Sequence, residues 1–409
     1  MSSPRFASAQ SIRHDGTLAL REAVEELKEG LAGQTPDLLV LFVSHHHASE
    51  FDSLGERLSS LTGAGVLVGC SGESIIGSQS EMEQVPAISL WAVACEDIKL
   101  TPFRVGAHPT DGFDSGLEEA VGANPIGYSS YPDLEGASGS LLLFGDPFSF
   151  PMTDFLRQLE NEAPDLAIAG GMASGGRKLG DNALFLAGQV QHDGAVGVHI
   201  DGGIELTSVV SQAYRPVGKP WVITSCEGPL VKKLGGKKAS AVMMSTFQDL
   251  PEQERELLKS PPMLGIAFDP AQSKFDPSDF LAHPIRGIAP QENAIAIFGE
   301  PRRGQTIQFM VRDPQSAGQN FLEQLKRSAG PPPSLPHEAG ALLFSCAARG
   351  SRMFVEPNHD ISRIHSYLGP ELPVAGFFAQ GEIGRIGGKN RLHGFAASTA
   401  IFRAKPDNS

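Results

Sequence analysis

Leu20, Val24, Leu27 and Leu31 recur at spacings of three and four with charged residues between them, which predicts a helix over residues 18–31. Gly33 and Pro36 end it. The apolar run 38–43 (LLVLFV) has the length of a buried strand. Residues 48–61 return to the helical period, with Phe51, Leu54, Leu58 and Leu61 on one face. Gly63 and Gly65 stop that helix. A strand begins at Val66 and runs into the loop VGCSGESIIG, and residues 87–94 (AISLWAVA) resume as a strand.

The same order recurs twice. Residues 141–144 (LLLF) predict a strand, 152–159 a helix, 166–169 a strand, and then comes the loop GGMASGG, followed by strands at 182–187 and 195–200. Near the end, 341–344 (LLF after Ala341), a weak helix through Ile361, Ile364 and Leu368, the segment 373–375 and the loop GFFAQGEIG follow in turn, closed by a strand over 394–402. Phe42, Phe144 and Phe344 precede Gly69, Gly170 and Gly376 by 27, 26 and 32 residues. Each loop carries a polar residue and a glycine, and two carry a glutamate: Ser71-Gly72-Glu73, Ser174-Gly175-Gly176 and Gln380-Gly381-Glu382. A true internal repeat and the family likeness of any β-α-β unit both fit this spacing.

Between the second and third copies the pattern changes. Strands are predicted at 204–210 and 221–224, joined by SQAYRPVGKP, and again at 261–268, 294–298 and 306–311, before a helix over 315–328. Residues 329–340 (AGPPPSLPHEAG) form a stiff extended connector. The expected fold class is α/β, with mixed α+β open: two domains of packed sheets and helices built from repeated β-α-β-loop-β units. The expected divisions are 1–35, a lead-in; 36–230 and 231–403, the two domains with a boundary near 226–250; and 404–409, a tail.

A chain of 409 residues buries roughly three quarters of its unfolded surface and needs no disulfide or metal for stability. Its net charge of −14 argues against broad nucleic-acid binding, which needs a positive footprint. The basic pairs Lys232-Lys233 and Lys237-Lys238 read as a solvated turn. Cys70, Cys95, Cys226 and Cys346 are widely spaced, which fits neither a disulfide scaffold nor a zinc ribbon and points to a reducing cytoplasm. The N-terminus has no apolar core of a signal peptide, and no apolar run is long enough to span a bilayer.

The loop around Cys70 has glutamate where a nucleophile elbow ends in glycine, and no glycine loop has the lysine of a P-loop or the spacing of a dinucleotide fingerprint. Loops at strand ends instead suggest the rim of a ligand pocket. In it, Glu73 and Glu382 suit an ammonium group, Arg349 suits a carboxylate, and Ser71, Ser174 and Gln380 supply hydrogen bonds. That set fits a small zwitterion such as an amino acid. Of the histidines His45, His46 and His47, one lining the pocket is the expectation, with no metal site, because neighbours on a strand alternate. Cys70 and Cys346 are pocket or redox candidates if the loops meet, and buried inert thiols otherwise. No cofactor is expected.

The segments PDLLVLFVS, VLVGCSGESIIGSQSEMEQVPAISLWAV, AYRPVGKPWVITSCEGPLVKKLGGKKA, GALLFSCAARG and LPVAGFFAQGEIG, taken in order, resemble the FIST family over roughly residues 36–400. The resemblance implies a sensory domain for small ligands such as amino acids; eukaryotic members include F-box proteins. No output module follows residue 403 and the first 35 residues are too short for an F-box, so signalling is expected to pass through a separate protein partner. The expected function is a stand-alone cytoplasmic small-ligand sensor, with neither membrane nor nucleic acid as partner. The alternatives are a cysteine-dependent enzyme using Cys70 or Cys346 with a base from His45–His47, and a protein-recruiting module.

Overall fold

The computed structural model describes residues 3–109, 126–129, 131–272 and 274–406; the ends of the expected lead-in and tail lie outside these. The fold is mixed α/β with several multi-stranded sheets. The chain divides into two compact units, residues 1–210 with 324–409, and residues 211–323.

In the first unit, three leading strands, Leu38–Ser44, Ser140–Gly145 and Ala339–Cys346, each lie parallel to a trailing strand, Val66–Gly72, Ala167–Met172 and Val374–Ala379. A helix connects each pair: Phe51–Thr62, Met152–Glu162 and His359–Leu368. A return strand, Ile88–Ala94, Ala195–Gly202 or Ala396–Ala404, runs antiparallel on the other side of each leading strand. An outer strand completes each edge: Arg5–Ser11, Ile98–Pro109 and Ile204–Gln212.

The register makes the copies equivalent residue by residue. Leu41, Leu143 and Leu343 sit opposite Gly69, Gly170 and Gly376. A Cβ on any of these glycines would lie 1.8–1.9 Å from the facing leucine's carbonyl oxygen, so no other residue fits. The next residue of each leading strand is Phe42, Phe144 or Phe344. These three rings meet in a near-equilateral triangle with centroids 5.6, 5.9 and 6.2 Å apart. Phe377 packs on all three. Its counterparts in the other copies are Cys70 and Gly171, and a Cβ on Gly171 would already touch the Phe377 ring at 3.3 Å. The Phe–Gly spacing in the sequence therefore reports a real threefold repeat.

The hairpin after each trailing strand leaves its own sheet. Ile75–Met82 pairs with the third copy's trailing strand, the hairpin Leu184–Gln191 with the first copy's, and Glu382–His393 with the second copy's. The three copies thus exchange hairpins in a ring.

Local signals explain most elements. Asp15 caps the helix Gly16–Gly30 by accepting from the Leu18 N–H at 2.9 Å, and Leu20, Val24 and Leu27 are buried on it. In Phe51–Thr62 the face is Phe51, Leu54 and Leu58; Leu61, expected on it, is exposed. Residues 45–50 are a 3-10 turn, so the histidines do not alternate as on a strand.

The second unit is a six-stranded closed barrel. Tyr214–Glu227, Thr306–Arg312, Met263–Ala267, Phe280–Ala289, Ala294–Ile297 and Leu230–Leu234 pair in that order, and the last pairs back to the first. Val217, Ile223, Val231, Leu264, Ile295 and Phe309 fill it. SQAYRPVGKP, expected to join two strands, lies largely within Tyr214–Glu227; the register shift between Val217 and Trp221 absorbs Pro220, which cannot donate to a ladder. Lys232 and Lys233 lie on a strand rather than a turn, and Lys232 pairs with Glu227 and Glu292. Residues 226–250, the boundary region expected from the sequence, fall inside this unit.

Candidate functional site

The exchange of hairpins brings the three glycine loops together. Phe378 N–H donates to the Ser74 carbonyl at 2.9 Å, Gln380 N–H to Met172 at 3.0 Å, and Met172 N–H to Gly381 at 2.8 Å. Ser174 Oγ accepts from the Glu73 N–H at 2.8 Å and donates to the Phe378 carbonyl. Ser71 Oγ accepts from the Ala183 N–H at 3.0 Å. Both serines are buried, and both hydroxyls join one loop to another. His45 lies against Gly175 and Glu73, so the first and second loops and the histidine turn share one neighbourhood.

Beside this junction the third copy carries a buried polar cluster. Arg349 is fully buried and makes two parallel bonds to Asp360, Nε at 2.8 Å and Nη2 at 2.6 Å. The carboxylate expected for Arg349 to clamp is thus one the chain itself supplies. Ser345 Oγ donates to the same carboxylate at 2.7 Å, and His359 Nδ1 lies 2.9 Å from it. Burial alone would raise the Asp360 carboxyl, but the Arg349 charge and hydrogen bonds outweigh it and hold the group well below the usual range. Phe354 stacks on His359 with ring centroids 3.4 Å apart, and the Arg349 guanidinium lies over the Phe354 ring, 5.1 Å from its centroid.

Glu81, from the first copy's hairpin, caps the third copy's helix. Its Oε1 accepts from the N–H groups of Asp360 and Ile361 at 2.7 and 3.0 Å. Burial, reinforced by the Asp360 charge, still pushes its carboxyl up to about 8.

Glu382 is also fully buried. It accepts from the Ala396 N–H at 3.0 Å through Oε2; among the described residues Oε1 meets no N–H or O–H donor, the Cys346 thiol being the hydrogen-bonding group beside the carboxyl, and Arg349 Nη1 has no partner. Burial pushes the Glu382 carboxyl up to about 8. The Cys346 thiol faces it and is pushed up to about 12, first by burial and then by the Glu382 charge. Burial also raises Cys70 well above the ordinary thiol value. Both thiols therefore stay protonated at neutral pH. Cys70 lies in the core among the central phenylalanines.

Glu73 is half-buried and pairs with Arg352 through both guanidinium nitrogens, Nη1 at 3.0 Å. Glu83 accepts from the Ser351 N–H at 2.9 Å and from its hydroxyl at 2.6 Å. Asn358 Oδ1 accepts from the Glu81 N–H at 2.8 Å, so the segment 350–358 is tied to the first copy at three points, with Phe354 turned inward and Val355 fully exposed. Gln380 presents an exposed side chain. An open groove beside Phe103 and Leu186 has none of these residues in its wall.

Glu73 and Glu382, which the Gly-Glu spelling aligns, are not equivalent in register. Glu382 faces Gly171 just as Ile75 faces Phe377 and Leu184 faces Cys70. Sequence reasoning missed Asp360, Glu81, His359, Phe354 and Arg352. Asp360 reads as an ordinary first-turn helix acid, and the glutamate of SEME carries no local hint that it caps a helix far along the chain.

Two family models match, the FIST N domain over residues 37–237 and the FIST C domain over residues 243–385. The chain is 34% identical over 404 residues to the Mycobacterium tuberculosis (strain H37Rv) "Uncharacterized protein Rv0628c", covering 97% of this chain and 99% of the relative. It is likewise 34% identical over 394 residues to the Mycobacterium bovis "Uncharacterized protein Mb0898c", covering 95% and 96%. No helix among the described residues is long and apolar enough to cross a membrane.

Proposed function

The chain belongs to the FIST family, whose domains are generally sensory and bind small ligands, and on that premise we propose that it senses an amino-acid-like molecule at the junction of its glycine loops. The observation that carries this reading is the third copy's cluster of Arg349, Glu382 and Cys346, fully or largely buried at strand ends, with Arg349 Nη1 left without a partner among the described residues and the Glu382 carboxyl meeting only the Ala396 N–H and the Cys346 thiol. An unmatched buried polar atom costs about 1–3 kcal/mol, which packing for stability alone does not favour. In the other two copies the place of Glu382 is filled by Ile75 and Leu184.

In this reading Arg349 Nη1 takes an oxygen of the ligand and Glu382 its amine. Ser71 and Ser174 hold the loops in place, and Glu73, Gln380 and His45 line the approach. The segment 350–358 moves aside to admit the ligand: the Glu73–Arg352 pair is solvent-accessible and worth less than about 1 kcal/mol, the hydrogen bonds of Ser351 to Glu83 are exposed, and the bond of the Glu81 N–H to Asn358 is the part-buried tether it must release. That movement would be the signal, read in the cytoplasm by a separate protein partner. The two candidate thiols, held protonated, favour recognition over cysteine-based catalysis.

A thermal-shift screen of the full chain against the standard amino acids tests the proposal. A ligand at about a hundredfold over its Kd adds about 2.7 kcal/mol and raises Tm measurably. No shift with any of them would overturn it.

A further inference from the structure

The three-copy repeat supplies an internal control for what each position needs. At the first residue of each exchanged hairpin, the fold itself is satisfied by Ile75 and Leu184. Only the third copy places a carboxyl there, fully buried, with the Ala396 N–H and the Cys346 thiol as its hydrogen-bonding neighbours among the described residues.

The charges around it decide what it can bind. Arg349 is neutralised by two bonds to Asp360. Cys346, facing Glu382 from the leading strand, is an uncharged thiol. His393, opposite Glu382 in the hairpin register, is held neutral by burial, which drops it to about 4. From the return strand comes the Ala396 N–H. With Glu382 protonated the cluster is balanced. An added ammonium group is balanced if the carboxyl beside it ionises.

We infer that Glu382 takes up the ammonium group of an amine-bearing ligand and releases its own proton to solvent in exchange. No covalent bond is made or broken: a carboxylic acid becomes a carboxylate paired with the ligand's ammonium. The inference rests on the proposed site and adds its selectivity and its coupling to pH. The raised carboxyl fits, because at neutral pH there is a proton to give. Apparent affinity then rises with pH up to about 8 and levels off above it.

The test uses the full chain and three probe sets: the standard amino acids, the same molecules lacking the amine, and the same molecules lacking the carboxylate. Calorimetry of each binder near pH 7 in two buffers of different ionisation enthalpy counts protons. The expected result is that an amino acid binds, its amine-free counterpart binds about tenfold to a hundredfold more weakly, and roughly one proton leaves per ligand. Glu382→Gln, which keeps an acceptor for the Ala396 N–H, loses the same factor and the proton release. Glu382→Leu, copying Leu184, gives a second variant whose fold the second copy already tolerates.

Equal binding of amine-free probes, no proton release, or an unchanged Glu382→Gln overturns this inference while leaving the proposed sensor standing. If no amino acid binds the wild-type chain, the sensor reading falls and this inference falls with it.

Discussion

The hairpin entry of the third copy and those of the first two share one backbone plan and differ in chemistry. Ile75 and Leu184 bury hydrocarbon where Glu382 buries an acid. Past the marker leucines the contrast continues. His47, Ser149 and Arg349 occupy matching positions, yet only Arg349 carries a charge into full burial and recruits Asp360 to balance it. A repeat reveals which residues the architecture requires and which were added to it. The glycine opposite each leucine is architecture; the polar cluster is an addition.

The strongest way to break this comparison is at the shared glycines. Gly69→Ala, Gly170→Ala and Gly376→Ala each force a methyl against a backbone oxygen, and each is expected to cost about 4 kcal/mol or more in urea denaturation. Similar losses at all three would support equivalence; a tolerated substitution at one would remove that copy from the repeat. Asp360→Ala comes next. It strands the Arg349 guanidinium in the interior and is expected to cost about 3–5 kcal/mol by the same measurement. Ser149→Ala, the matching site in the second copy, removes a 2.7 Å bond to Asp146 and the acceptor of the Gly194 N–H, and costs about 1–3 kcal/mol.

Glu382→Leu sharpens the comparison with the opposite sign. Replacing a buried, half-satisfied acid by its counterpart from the second copy is expected to stabilise by about 1–3 kcal/mol at alkaline pH. The pH dependence follows from the raised carboxyl. The native state keeps a proton up to about 8 that the unfolded chain releases at its ordinary value of 4.5. Stability from this group is therefore full below about 4.5 and is lost as pH climbs to about 8. Leucine has nothing to titrate, so the variant's advantage grows across that window and is flat above it. Glu81 titrates in the same window but is common to both proteins, so the difference between them isolates Glu382. The smallest effect belongs to the solvent-accessible pair: Arg352→Ala is expected to cost less than about 1 kcal/mol, and a double-mutant cycle with Glu73→Ala measures the coupling.

Much of this fold was legible in the sequence because the information is local. Apolar runs gave the leading and trailing strands, and the Phe–Gly spacing marked the repeat. What the spelling misled on was the loops. Matching Gly72-Glu73 to Gly381-Glu382 shifts the third copy against the first, since identical letters outweigh a register set by pairing between distant strands. Of the candidate residues, Glu382 is legible as an acid after a glycine and Arg349 as a cation just past a strand. The partners were invisible, because Asp360 reaches Arg349, and Glu81 the N–H of Asp360, only through contacts that no sequence period records. The barrel strand Tyr214–Glu227 was hidden for a similar reason: Pro216 and Pro220 read as a turn, yet Pro216 pairs in register opposite Met310 and the bulge accommodates Pro220.

The ring of exchanged hairpins has a consequence for synthesis on the ribosome. The hairpin Ile75–Met82 has no host until Val374–Ala379 emerges, and the trailing strand Ala167–Met172 keeps a bare edge until residue 393 is made. The nascent chain therefore carries an orphan hairpin and an open, pairing-competent edge through more than half of its translation. The first sheet is complete once residue 191 is made, whereas the other two close only after residues 374–404 follow.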